Sequence, residues 1–188
     1  MASINSWQTS KSMSSIVISD WSSHLSQFQH SIQTIPVLSP STVHFVESLV
    51  HSSIFLFSAE KKTSLTHNPL VRIFRFHPRQ RTPLVLVQQI RDLEVKQIES
   101  IVLDDHKILV LMLSNDRLDL YRLKGSSGFV RVDTIDVKNA QNFMVSQNYR
   151  NNRINGHLIS ISLKLCYARN RNICKEETHV LRPKFNVN

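Results

Sequence analysis

Ile108-Leu-Val-Leu-Met-Leu113 is followed by Ser114-Asn115-Asp116 and then by Arg117-Leu-Asp-Leu-Tyr-Arg-Leu123. The apolar run falls far short of the roughly 18 residues of a membrane span, and it is shorter than an ordinary helix. Closed by a Ser-Asn-Asp turn, it reads as a β-strand apolar on both faces, packed between neighbouring sheets. After the turn the pattern alternates. Leu118 and Leu120 flank Asp119, as in a half-exposed strand further from the centre. This hairpin predicts an all-β fold.

The hairpin has counterparts along the chain. Ile54-Phe-Leu-Phe57 and Leu158-Ile-Ser-Ile-Ser-Leu163 match its first strand, and Val71-Arg-Ile-Phe-Arg-Phe76 matches its second. A further element, Leu84-Val-Leu-Val-Gln-Gln-Ile90, is matched by Phe129-Val-Arg-Val-Asp-Thr-Ile135 and by Phe28-Gln-His-Ser-Ile-Gln-Thr-Ile35. Ahead of the apolar strands, Phe45-Val-Glu-Ser48 recurs as Gln97-Ile-Glu-Ser100 and as Phe143-Met-Val-Ser146. Val87 and Val132 are 45 residues apart and Phe45 and Gln97 are 52 apart. The excess lies in the polar segment Glu60–Pro69, an inserted loop with Asn68-Pro69 as its turn.

Four short strands per unit with a period in the forties describe a propeller blade. The expectation is an all-β, β-propeller-like array of four-stranded antiparallel repeats, incomplete, with about three to four units. Residues 1–15 form an unstructured Ser-rich N-terminus. Residues 16–165 hold a partial unit (16–42), two units (43–92 and 93–139) and a degenerate one (140–165). Residues 166–188 form a basic C-terminal hairpin or tail. A simple antiparallel sandwich is the competing architecture. A closed propeller has roughly 4 to 8 blades, so the array is a fragment, a shortened form, or one that self-associates through exposed edge strands.

Each unit runs apolar strand, Asn-Asp-type turn, Leu/Ile-x-aromatic-x-apolar strand, turn, Phe/Leu-x-x-x-Gln-x-Ile strand. In that order, Ile108–Leu113, Ser114-Asn115-Asp116, Leu120-Tyr121-Arg122-Leu123, Gly128-Phe129 and Thr134-Ile135 resemble the epilepsy-associated repeat, also called the EAR or EPTP repeat. The resemblance covers residues 16–163 and is echoed by Ile73-Phe74-Arg75-Phe76 with Gln88-Gln89-Ile90. It implies a β-propeller that binds other proteins, is not catalytic, and works outside the cell.

Composition narrows the function classes. Hydrophobic residues make up 41 % of the 188, enough for a folded core. The chain has three glycines, Gly125, Gly128 and Gly156, which leaves little from which to build a backbone cradle for phosphates. The net charge of +9 is uneven: residues 138–188 hold nine Lys/Arg against Glu176 and Glu177. Such asymmetry points to an acidic partner or to a solvated strand face. The Ser-rich start shows no apolar signal-peptide core, so a cytoplasmic location is the alternative to the extracellular one.

Chemistry-bearing motifs are sparse. The chain contains no Gly-x-Ser-x-Gly, His-Glu-x-x-His or Walker pattern, so no catalytic residue, metal or cofactor is assigned. Asp104-Asp105 reads as a polar turn. The nine histidines have no zinc-type short spacing. Arg150, Arg153, Arg169, Arg171 and Lys175, with Tyr149 and Tyr167 interleaved, form the candidate binding cluster, since cations beside aromatics hold phosphates and stack bases. If Leu163–Tyr167 and Ile173–Val180 pair as a hairpin, Cys166 and Cys174 come within disulfide distance; two reduced thiols are the equal alternative. The functional expectation is a non-catalytic protein-interaction module that binds another protein. The alternative is a polyanion binder, for RNA or a heparin-like glycan, using the basic C-terminal third.

Overall fold

The computed structural model describes residues 2–4, 14–22, 27–48, 53–62, 68–77, 80–102, 108–125, 128–137, 140–152, 156–167 and 174–181. These residues form fourteen strands and, among them, no α-helix. The strands make four antiparallel sheets. Sheet I contains β1 (Ala2–Ile4), β2 (Ser14–Ser22) and β3 (Gln27–Val37). Sheet II contains β4 (Pro40–Ser48), β5 (Ser53–Glu60), β6 (Leu70–Phe76) and β7 (Leu84–Arg91). Sheet III contains β8 (Gln97–Val102), β9 (Ile108–Leu113), β10 (Arg117–Leu123) and β11 (Phe129–Asp136). Sheet IV contains β12 (Ala140–Asn152), β13 (Gly156–Tyr167) and β14 (Cys174–Leu181). Every sheet is a meander, each strand pairing with its neighbour in sequence. Among the described residues each of the four sheets is open, with two edge strands.

Period-2 side-chain alternation explains the stacking. On β9, Ile108, Val110 and Met112 enter one core cluster, with Phe55, Phe57 and Ala59 of β5. The intervening Leu109, Leu111 and Leu113 enter another, with Phe143 of β12. Both faces of β9 are therefore core, as the unbroken apolar run requires. A third cluster joins Ile16, Ile18, Ile35 and Val37 to Leu56, Phe74 and Leu84. Three apolar seams thus hold the stack: I–II, II–III and III–IV.

The ladders give the repeat register directly. Val71 pairs with Ala59 and with Ile90, while Leu118 pairs with Leu113 and with Ile135. In sheet I, Ile16 pairs with Ile35. The second-to-last and last strands of sheets II and III thus match residue for residue, and β2 and β3 follow them. By this measure sheet I has no counterpart of β4 among the described residues, and sheet IV none of β7 or β11. Phe45 shares a face with its rung partner Leu56, toward sheet I, and is 43 % exposed; among the described residues no inner strand of sheet I lies against it.

Four expectations change in detail. Ala2–Ile4, within the N-terminal segment expected to lack structure, pairs with Ile18–Asp20. Cys174–Leu181, expected in a C-terminal hairpin or tail, pairs with β13 and so forms the third strand of sheet IV. Thr42 lies opposite Ala59 and Gln97 opposite Leu113, so the likeness of Phe45–Ser48 to Gln97–Ser100 is three residues out of register. Finally, β10 is not half-exposed: Leu118, Asp119 and Leu120 are all buried, because sheets II and IV cover both of its faces.

Asp119 tolerates that burial through its partners. The Thr134 hydroxyl donates to it at 2.7 Å, Arg117 Nε donates at 3.1 Å, and Arg131 lies 3.8 Å away. A buried carboxylate without such partners would be strongly destabilising. Burial pushes the nearby Tyr121 hydroxyl above its ordinary value; Asp119 adds to the shift, and Arg131 and Arg117 oppose it.

Candidate interaction surface

Three glutamines tie one sheet to the next, each using its side-chain amide as if it were a peptide group. Gln33 of β3 donates to the Leu84 carbonyl at 3.0 Å and accepts from the Leu84 N–H at 2.8 Å. Gln88 of β7 does the same to Phe129, at 2.8 Å in both directions. Both stand two residues before the paired Ile35 and Ile90, and both hold the start of the next sheet's last strand. The third, Gln97 of β8, holds Phe143 on β12 at 2.8 and 2.9 Å. In β11 the position two before Ile135 is Asp133, whose carboxylate accepts from the N–H of Thr134. An ionised carboxylate cannot donate back to a carbonyl, so the two-way clamp ends there.

These clamps leave the free edges of β7 and β11 available. Val85, Leu86 and Val87 on β7 are exposed, as are Val130 and Val132 on β11, Val132 by 53 %. The inner strand β8 lies next to β4 on one side and β12 on the other, while the last strands β7 and β11 are largely exposed. Apolar residues on an unpaired strand edge present both main-chain hydrogen-bonding groups and apolar contact area to another chain. The sequence places these residues in repeated strand elements without showing that the strands lie at sheet edges. Only their position at an edge changes their meaning.

Of the candidate basic cluster, Arg150, Lys175, Tyr149 and Tyr167 lie on described strands. Arg153, Arg169 and Arg171 lie outside the described residues. Arg150 pairs with Leu158 and Tyr149 with Ile159, toward one end of β13. Tyr167 pairs with Ala140 and Lys175 with Leu165, toward the other. Seven residues of strand between Leu158 and Leu165 correspond to about 23 Å. The pairs Lys164–Glu176 and Leu163–Glu177 also bring the two acidic residues of this region into the same sheet. Cys166 is the direct register partner of Cys174.

Among the described residues, His44 and Ser100 resemble a nucleophile–base pair, sharing a hydrogen bond of 2.9 Å between β4 and β8. Burial pushes the His44 pKa below its ordinary value, and Glu99 partly offsets this. Glu99 precedes Ser100 on the same strand, so it faces the opposite side of sheet III. There it accepts from Gln97 at 3.1 Å. The three groups therefore do not form a relay. His51, Asp104 and Asp105 lie outside the described residues. An open cleft of about 300 Å³ lies at the strand ends, lined by Asp92, Glu94 and Asp116 among others. Among the described residues no three His, Cys, Asp or Glu side chains are grouped to hold a metal ion, and no helix is long and apolar enough to cross a membrane. No family model matches the chain, and no curated protein matches it.

Proposed function

We propose that the chain is a non-catalytic protein-interaction module built of propeller-type blades, with sheets II and III as two whole blades and sheets I and IV as partial ones. The observation that carries this reading is the exposed apolar series on β7 and β11, at edges where a partner strand or loop can dock. The order of elements that resembles the EAR/EPTP repeat, in which binding is the work of the fold, supports it. The mechanism is shape complementarity with main-chain pairing at the edge, and a few apolar anchors supply most of the affinity.

The test compares affinity capture by the wild-type chain with capture by a Leu86→Lys/Val132→Lys double variant. Both positions are on exposed faces, so the fold should survive, as far-UV circular dichroism and the melting temperature will show. Partners recovered by the wild type should be lost or at least tenfold depleted with the variant. Equal recovery would overturn the edge as the binding surface. Retention on heparin that falls steeply with salt, and is unchanged in the variant, would instead favour the polyanion reading.

A further inference from the structure

We propose that Cys166 and Cys174 are a cross-strand disulfide site that locks the end of sheet IV. The argument rests on backbone register. The two residues are directly opposite each other on β13 and β14, at the rung next to the segment that joins the strands. Directly opposed residues of an antiparallel ladder have Cα atoms about 4.5 or 5.5 Å apart, according to the type of rung. Both separations fall inside the roughly 4.4–6.8 Å range of disulfides. The two are also the only cysteines in the chain, so neither has a competing partner within it.

The chemistry needs a two-electron oxidant, and a low-molecular-weight disulfide such as oxidised glutathione suffices. The thiolate of one cysteine attacks a glutathione sulfur, forming a mixed disulfide and releasing one glutathione thiolate. The second cysteine thiolate then attacks the protein-side sulfur, forming the Cys166–Cys174 bond and releasing the second glutathione. The two thiol protons pass to the released thiolates; the cysteines are oxidised and the glutathione disulfide is reduced. Arg169, Arg171 and Lys175 lie close to the pair along the chain, and positive charge favours the attacking thiolate. The bond would close the segment that carries Arg169 and Arg171 and prevent β14 from peeling off β13.

The experiment equilibrates the full chain in glutathione redox buffers, native and in 8 M urea, quenches with acid, and measures intact and peptide masses. The native chain should lose both free thiols and about 2 Da, with a single cross-linked peptide pair and no glutathione adduct. Cysteines so near in sequence will also bridge to some extent when unfolded. The folded chain should therefore show an effective thiol concentration at least about tenfold above that in urea, because the ladder holds the rung in place. The oxidised protein should melt about 5 °C above the reduced one. Cys174→Ser should accumulate the glutathione adduct on Cys166 in the same buffers. Equal effective concentrations in the two solvents, stable native glutathione adducts at both cysteines, or a disulfide-linked dimer would each overturn the site.

Discussion

Seams II–III and III–IV flank the same strand, β9, yet they are fastened differently. At II–III an amide clamp acts at the outer strand, where Gln88 holds Phe129, and the inner strands meet through His44 and Ser100. At III–IV the clamp has moved to the inner strand, where Gln97 holds Phe143, and the outer position is Asp133. In both seams the clamped residue is a phenylalanine with almost no exposed surface. A repeated fold can thus keep one device, an amide fixing the backbone of a core aromatic, while changing where the device sits. The change coincides with the absence, among the described residues, of an outer strand in sheet IV for a clamp at position 133 to hold.

The largest effect should come from the aromatics themselves. Phe129 meets Phe55 and Phe57 edge-to-face, with ring centroids 5.1 and 4.9 Å away. Phe143 packs against aliphatic side chains of β9 and β10. Replacing a buried Phe by Ala costs about 3–5 kcal/mol, and edge-to-face pairs add about 0.5–1.5 kcal/mol beyond area alone. Phe129→Ala should therefore lie near the top of that range and Phe143→Ala near the bottom, measured by urea unfolding. Equal costs would show that the two seams differ in fastening but not in strength.

A smaller effect sharpens the clamp itself. Gly128 has a φ of +75°, and a Cβ there would lie 2.6 Å from Gln88 Oε1. Gly128→Ala should cost about 2 kcal/mol, part from the left-handed backbone and part from displacing the amide. Gln88→Ala, which leaves the Phe129 N–H and carbonyl without their partner, should cost about 1–3 kcal/mol. Because both changes break the same bonds, the double variant should cost clearly less than the sum of the two. Strict additivity would mean that Gly128 serves the turn and has no part in the clamp.

The sequence showed the strands because their apolar runs and turns are local signals, and the Phe/Leu-x-x-x-Gln-x-Ile order showed that a glutamine recurs. It did not show what Gln88 binds, because the partner is a main-chain pair 41 residues away that has no side-chain signature. Register failed similarly: Glu-Ser at 47–48 and 99–100 looks like a repeat, yet pairing is decided by which face meets the core. Asp119 looked exposed because its partners Thr134 and Arg131 lie on another strand.

The smallest effect concerns pH and should separate the seams cleanly. His44 is the titratable member of the inner fastening at II–III, whereas at III–IV that role belongs to an amide. Burial lowers the His44 pKa from its ordinary 6.5, with Glu99 opposing. Between the unfolded value and the lower folded one, the unfolded chain binds more protons. The contribution of His44 is therefore fully present above about pH 6.5 and is lost as pH falls through the folded-state pKa. On acidification from pH 7.5 to 5.5 the wild type should lose more thermal stability than His44→Gln, which retains a hydrogen-bonding side chain but does not titrate. The other histidines are common to both proteins, so the difference isolates position 44. Glu99→Gln removes the group that supports the charged imidazole, and it should steepen the acid loss. A wild type and His44→Gln with parallel pH profiles would mean that protonation leaves seam II–III intact, and the contrast with the amide at III–IV would then have no consequence for stability.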